Sequence, residues 1–167
     1  MVTVGVHVSI AKSIDLAVDR AREIGCDTFQ IFSRSPRGWS FRDIPEPQVK
    51  AFREKLARSG IAFPVDHMPY LPNLAGSTAE FSSKSVATLK AEMARCRQLG
   101  IPYLVTHLGS HLGQGTESGC NRLIAAIGEA ACGEKNGATL LLENTAGHKN
   151  SLGSTFEDLV TIMEGSG

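Results

Sequence analysis

Paired cysteines, a surplus of charge and long apolar runs are all missing from this 167-residue sequence. Its four cysteines, Cys26, Cys96, Cys120 and Cys132, form no CxxC pair, which excludes zinc-finger frameworks and suits thiols of a reducing compartment. The 17 basic side chains balance 17 acidic ones, so any nucleic-acid surface must come from local placement of charge rather than a global positive field. The longest apolar runs, such as Leu140 to Leu142, fall far short of the roughly 20 residues of a membrane-spanning helix. Met1 to Gly5 leads into an apolar alternation with no basic leader or cleavage site. The expected setting is cytoplasmic, without a membrane partner. No low-complexity tract interrupts the chain, and its length fits a single domain, 1–167, with a real core.

A recurring phrase organises the sequence: an amphipathic helical stretch, a glycine, then a short apolar run. Ala17 to Ile24 stops at Gly25 before Thr28 to Phe32, and Val49 to Ser59 stops at Gly60 before Ala62 to Val65. Ser85 to Leu99 stops at Gly100 before Tyr103 to Thr106, and Leu123 to Asn136 stops at Gly137 before Thr139 to Leu142. Glycine suits the left-handed position that ends a helix. The stops lie 35 to 40 residues apart, the length of one strand, one helix and two loops. With Val2 to Val8 as an opening strand and Thr155 to Met163 as a last helix, the pattern predicts five βα units on a parallel α/β sheet. On length alone a five-stranded doubly wound sheet fits better than an eightfold barrel, which takes about 250 residues.

In either architecture the ligand site lies at the carboxyl ends of the strands. Those ends carry His7, His67, His107 and Glu143-Asn144. Taken singly, a strand-end histidine is most simply a loop cap. Two imidazoles and a carboxylate at equivalent places on three consecutive strands instead suggest ligands for zinc or a similar divalent ion. The loop from Ser33 to Arg42 is basic, with Trp39 and Phe41 interleaved, and reads either as a grip on nucleic acid or as a solvated loop. Tyr70 shares the rim, and His111 either orients a ligand from behind or caps its loop. Asp15, Asp19, Arg22, Glu23 and the run Glu92 to Arg97 read as wet helix faces, with Met93 and Cys96 turned to the core. Gly113-Gln114-Gly115 lacks the ending of a phosphate loop.

Five segments together resemble the endonuclease IV family of zinc-dependent apurinic/apyrimidinic (AP) endonucleases. They are Gly5-Val6-His7-Val8-Ser9, Arg37-Gly38-Trp39, His67 with Tyr70 and Asn73-Leu74, His107-Leu108-Gly109-Ser110-His111, and Leu142-Glu143-Asn144-Thr145-Ala146-Gly147. Leu108 departs from the proline usual in that family. The resemblance implies a (β/α)8 TIM-type barrel, of which this chain holds the first five βα units and is thus a fragment. It implies a cluster of three zinc ions, for one of which His67, His107 and Glu143 form the full protein ligand set, with Glu143 and His107 catalytic. It implies Arg37, Trp39 and Tyr70 as DNA contacts, and His7, His111 and Asn144 as supports behind the ligands. The implied activity is base excision repair: hydrolysis of double-stranded DNA 5′ to an abasic site by metal-bound hydroxide, with no organic cofactor and a monomeric parent enzyme. Two other readings fit the same rim: a metal-dependent sugar or sugar-phosphate isomerase, and a non-catalytic half-barrel interaction module.

Overall fold

Three of the four predicted helix stops are left-handed glycines, Gly25, Gly60 and Gly100, with φ of 81°, 74° and 75°. The computed structural model describes residues 2–40, 42–132 and 137–167. Strands and helices alternate along it: β1 Gly5–His7, α1 Leu16–Ile24, β2 Thr28–Ile31, α2 Glu46–Ser59, β3 Val65–His67, α3 Ala79–Leu99, β4 Tyr103–His107, α4 Thr116–Ala131, β5 Thr139–Glu143 and α5 Phe156–Ser166. Gly137 is not a stop, because α4 ends at Ala131 and Cys132 is already extended, with ψ of 117°. The end of the expected helix, 133–136, lies outside the described residues, as does Phe41.

Two strands begin later than the apolar pattern suggests. Val4 gives its N–H to the Asp27 carboxylate instead of a neighbouring strand, so β1 starts at Gly5. Phe63 sits at φ of 51° and Pro64 has no N–H to donate, so β3 starts at Val65. Helices α1 to α4, conversely, start earlier than their apolar stripes, whereas α5 starts one residue later than expected. Pro47 in the first turn of α2 needs no N–H partner there, and α5 opens on a capping box in which Thr155 and Asp158 bond each other's backbone N–H.

The five strands form one sheet in the order β1-β2-β3-β4-β5. The first three pairings are parallel, with Gly5 opposite Thr28, Gln30 opposite Val65 and Val65 opposite Tyr103. An order that never reverses has no switch point, so it excludes the doubly wound sheet that length favours. Right-handed crossovers that all step the same way are instead the connectivity of a (β/α) barrel. Length reports how many units there are, not the order in which they pair.

The chain divides into two compact units whose boundaries fall inside α3, β4 and β5. The first contains β1, β2, β3, α1, α2, the end of α3 from Glu92 and the starts of β4 and β5. Its core holds Val18, Phe29, Ile31, Phe52, Leu99 and Leu104, with Phe29 and Phe52 edge to face at 6.3 Å. The second contains residues 70–91, the end of β4, α4, the end of β5 and α5. Its core holds Leu74, Leu89, Leu108, Leu123, Leu152 and Ile162.

Candidate metal centre

In the first unit β3 delivers His67 into a buried position. Its Nδ1 lies 2.7 Å from the carbonyl oxygen of Met68. A carbonyl only accepts, so Nδ1 carries the proton and Nε2 keeps a lone pair for a cation. Phe32 meets the His67 ring edge-on at 5.2 Å and lies 4.5 Å from the ring of His7. The Gln30 amide donates to His7 Nδ1 at 3.0 Å. Burial, and then repulsion from the His67 ring whenever that ring is protonated, lowers the His7 pKa, which favours a neutral ring at this end of β1. A cavity of about 530 Å³ opens beside His7, Phe32 and Arg34.

Beneath His67 lies a buried ionic cluster that the helix pattern concealed. Glu92 and Arg95, read from the sequence as part of a wet face, are 0% and 7% exposed. Glu92 pairs with Arg34 at 2.7 Å and accepts from the Ser33 hydroxyl at 2.7 Å. Arg95 donates to the hydroxyl and carbonyl of Ser33 and to the carbonyl of Arg42. One Asp66 oxygen accepts the N–H groups of Ser33 and His67, each at 2.9 Å. Burial and the charge of Glu92 push the Asp66 carboxyl up to about 8. Met93 and Cys96 are core residues, as expected.

In the second unit β4 ends at His107 and β5 at Glu143, and His107 Nδ1 lies 3.0 Å from Glu143 Oε2. Donor atoms about 2.0 Å from a tetrahedral zinc stand roughly 3.3 Å apart, so this pair approaches the spacing of two ligands on one ion. Both side chains keep partial access to solvent, at 38% and 42%. Tyr70 stacks on the His107 ring at 5.6 Å and 28°. Within this unit His107 and Glu143 are thus a histidine and a carboxylate of the donor type that takes a divalent cation.

Other predicted positions separate. His111 closes its own loop: its N–H donates to Asn150 O and its Nδ1 accepts from Gly115 N–H, the N-cap of α4. Asn144 is exposed just beyond β5, Arg37 is exposed, and Trp39 is half-buried in the loop after β2. The sequence reading missed Phe32, although it immediately follows β2 and the strand-end rule that found His7 applies to it equally.

Residues 18–167 match the family described as Xylose isomerase-like TIM barrel. The chain belongs to that family. Within it, the chain is 58% identical over 167 residues to a protein of Methanoculleus marisnigri named "Probable endonuclease 4", spanning 99% of this chain and 59% of that one. A protein of the same name from Cenarchaeum symbiosum is 56% identical, with 96% and 58% spanned. Among solved structures, endonuclease IV from Thermus thermophilus superimposes with a TM-score of 0.84 at 36% identity, over 97% of this chain and 59% of that one. The endonuclease IV resemblance expected from the five segments is thereby met. A D-tagatose 3-epimerase-like protein, at 21% identity and TM-score 0.74, shares the fold alone. This family member spans about three fifths of the length of the relatives it matches.

Proposed function

We propose that this chain carries part of the active site of a zinc-dependent AP endonuclease, with His67, His107 and Glu143 as ligands of one ion. The observation that carries the reading is the 3.0 Å approach of His107 Nδ1 to Glu143 Oε2 at the ends of adjacent strands. The tautomer of His67 supports it, since Nδ1 is committed to Met68 O. Two neutral imidazoles and one carboxylate suit a borderline cation such as zinc. A divalent ion held there would supply Lewis-acid stabilisation to phosphoryl oxygens and make water a competent nucleophile near neutral pH. The protein's own groups do the rest. The half-exposed Glu143 carboxylate is open to accept a proton, and Tyr70 stacks on the His107 ring.

DNA contacts in this reading come from groups that solvent reaches at least in part. Arg37 offers a planar guanidinium to phosphate. Tyr70, 58% exposed, and Trp39 offer ring faces to bases beside an extruded abasic nucleotide. His7 and Asn144 support the ligand residues from behind, and His111 does so through its loop. The parent would be a monomeric, cytoplasmic enzyme of base excision repair, cutting 5′ to abasic sites without an organic cofactor. No helix among the described residues is long and apolar enough to cross a membrane. The names and identities of the endonuclease 4 relatives favour this reading over a sugar isomerase, whose support is a shared fold.

Cobalt uptake followed by its visible absorption, together with the anisotropy of labelled duplexes, tests the proposal. Uptake of cobalt that His107→Ala abolishes, and tighter binding of a duplex with one abasic site than of an intact one, are the expected results. No cobalt uptake together with equal affinity for both duplexes would overturn it.

A further inference from the structure

The loops after β3, β4 and β5 in the second unit are stitched together through one side-chain amide. Asn73 Nδ2 donates to the Ser110 carbonyl at 2.9 Å, and Asn73 Oδ1 accepts the Ser110 N–H at 2.9 Å and the Ala75 N–H at 3.2 Å. The side chain therefore pairs with the Ser110 peptide as a neighbouring strand would. Asn73 is held in turn, its own N–H donating to the Ser85 hydroxyl of α3 at 3.1 Å. Gly109 makes room for the amide: its φ is +85°, and a Cβ there would fall 2.1 Å from Asn73 Oδ1. On its far side the same turn is tied to the loop after β5. Leu152 N–H donates to Gly109 O, His111 N–H donates to Asn150 O, and Ser110 bridges Ser151.

Each loop of this clasp continues from a residue of the candidate site. Tyr70 lies three residues before Asn73, His107 two residues before Gly109, and Glu143 at the end of β5. Tyr70 and Glu143 meet His107 from the two neighbouring loops. We infer that Asn73 is a positioning residue for His107, fixing the Gly109–Ser110 turn so that the imidazole lies against Tyr70 with Nδ1 facing Glu143. Asn73 touches neither reacting atoms nor cation; it acts by removing the freedom of the turn. Groups that orient ligands in this way typically contribute 10- to 100-fold in metal affinity. The affinity part of the inference rests on the metal reading above, whereas the ring position does not.

The test compares the parent chain with Asn73→Ala and Asn73→Asp. The second variant keeps the size and the acceptor but loses the donor to Ser110 O, and it serves if Asn73→Ala does not fold. In EDTA, the His107 ring-proton resonances and their contact with Tyr70 are read by NMR, and cobalt affinity is then measured by titration. Shifted His107 resonances, loss of the Tyr70 contact and a cobalt affinity lower by about tenfold, in a chain with parental circular dichroism, are expected. Unmoved His107 resonances in a folded variant overturn the inference, as does parental cobalt affinity in both variants. If the parent itself takes up no cobalt, the metal reading fails, and the His107 resonances alone decide the role of Asn73.

Discussion

Replacing Asp66 by asparagine asks whether the folded chain holds a neutral carboxyl beneath His67. Asp66 is fully buried, and its carboxyl rises from an ordinary value of 3.8 to about 8, first through burial and then through the charge of Glu92. Between those values the folded state keeps a proton that the unfolded chain has released. Unfolding free energy therefore falls as pH rises through the window, by about 1.4 kcal/mol per pH unit for one proton. Asparagine preserves the shape and the acceptor for the Ser33 and His67 N–H groups, yet has no proton to lose. Relative to the parent, the Asp66→Asn chain should gain stability as pH rises from 5 to 7, with a ceiling of about 3 kcal/mol for one proton released only on unfolding. Urea titrations followed by far-ultraviolet circular dichroism at pH 5, 6 and 7 measure this. EDTA keeps metal at the adjacent His67 out of the comparison, and groups that titrate alike in both chains cancel. If the stability difference between the chains does not change with pH, Asp66 is ionised in the folded state and the reasoning fails.

Two further substitutions probe the scaffold. Phe52→Ala empties a fully buried position against the Phe29 ring and should cost about 3–5 kcal/mol in urea unfolding; a loss below about 1 kcal/mol would mean that the core there collapses freely. Thr155→Ala removes the side-chain half of the α5 capping box and should cost about 1 kcal/mol, with faster amide exchange at Asp158, whose N–H the threonine hydroxyl accepts.

The alternation of strands and helices was legible because glycine and amphipathic spacing are local signals, and three of the four stops took the backbone conformation expected of them. The late starts of β1 and β3 were not legible. They depend on a carboxylate that captures the Val4 N–H and on the left-handed turn at Phe63, neither of which alters hydropathy. His67, His107 and Glu143 stood out because strand ends share a rim whatever the details of the fold. Glu92 and Arg95 did not, since helical periodicity assigns charges to solvent. Their partners Ser33 and Arg34 come from a loop about 60 residues earlier, and only the fold reveals that a counter-charge is waiting there. Strand order was invisible for a similar reason, being a property of pairings between units rather than of any one of them.

That sequential order bears on how the chain assembles as it is made. Each strand pairs with the one completed just before it, so no later strand has to wedge between two that have already joined. The loops closed by successive pairings are all a few dozen residues long, and lengths within a factor of two differ in closure entropy by no more than about 0.6 kcal/mol. The sheet can therefore grow by near-equal steps from its first strand in the direction of synthesis, each addition resting on a finished edge and awaiting no distant segment.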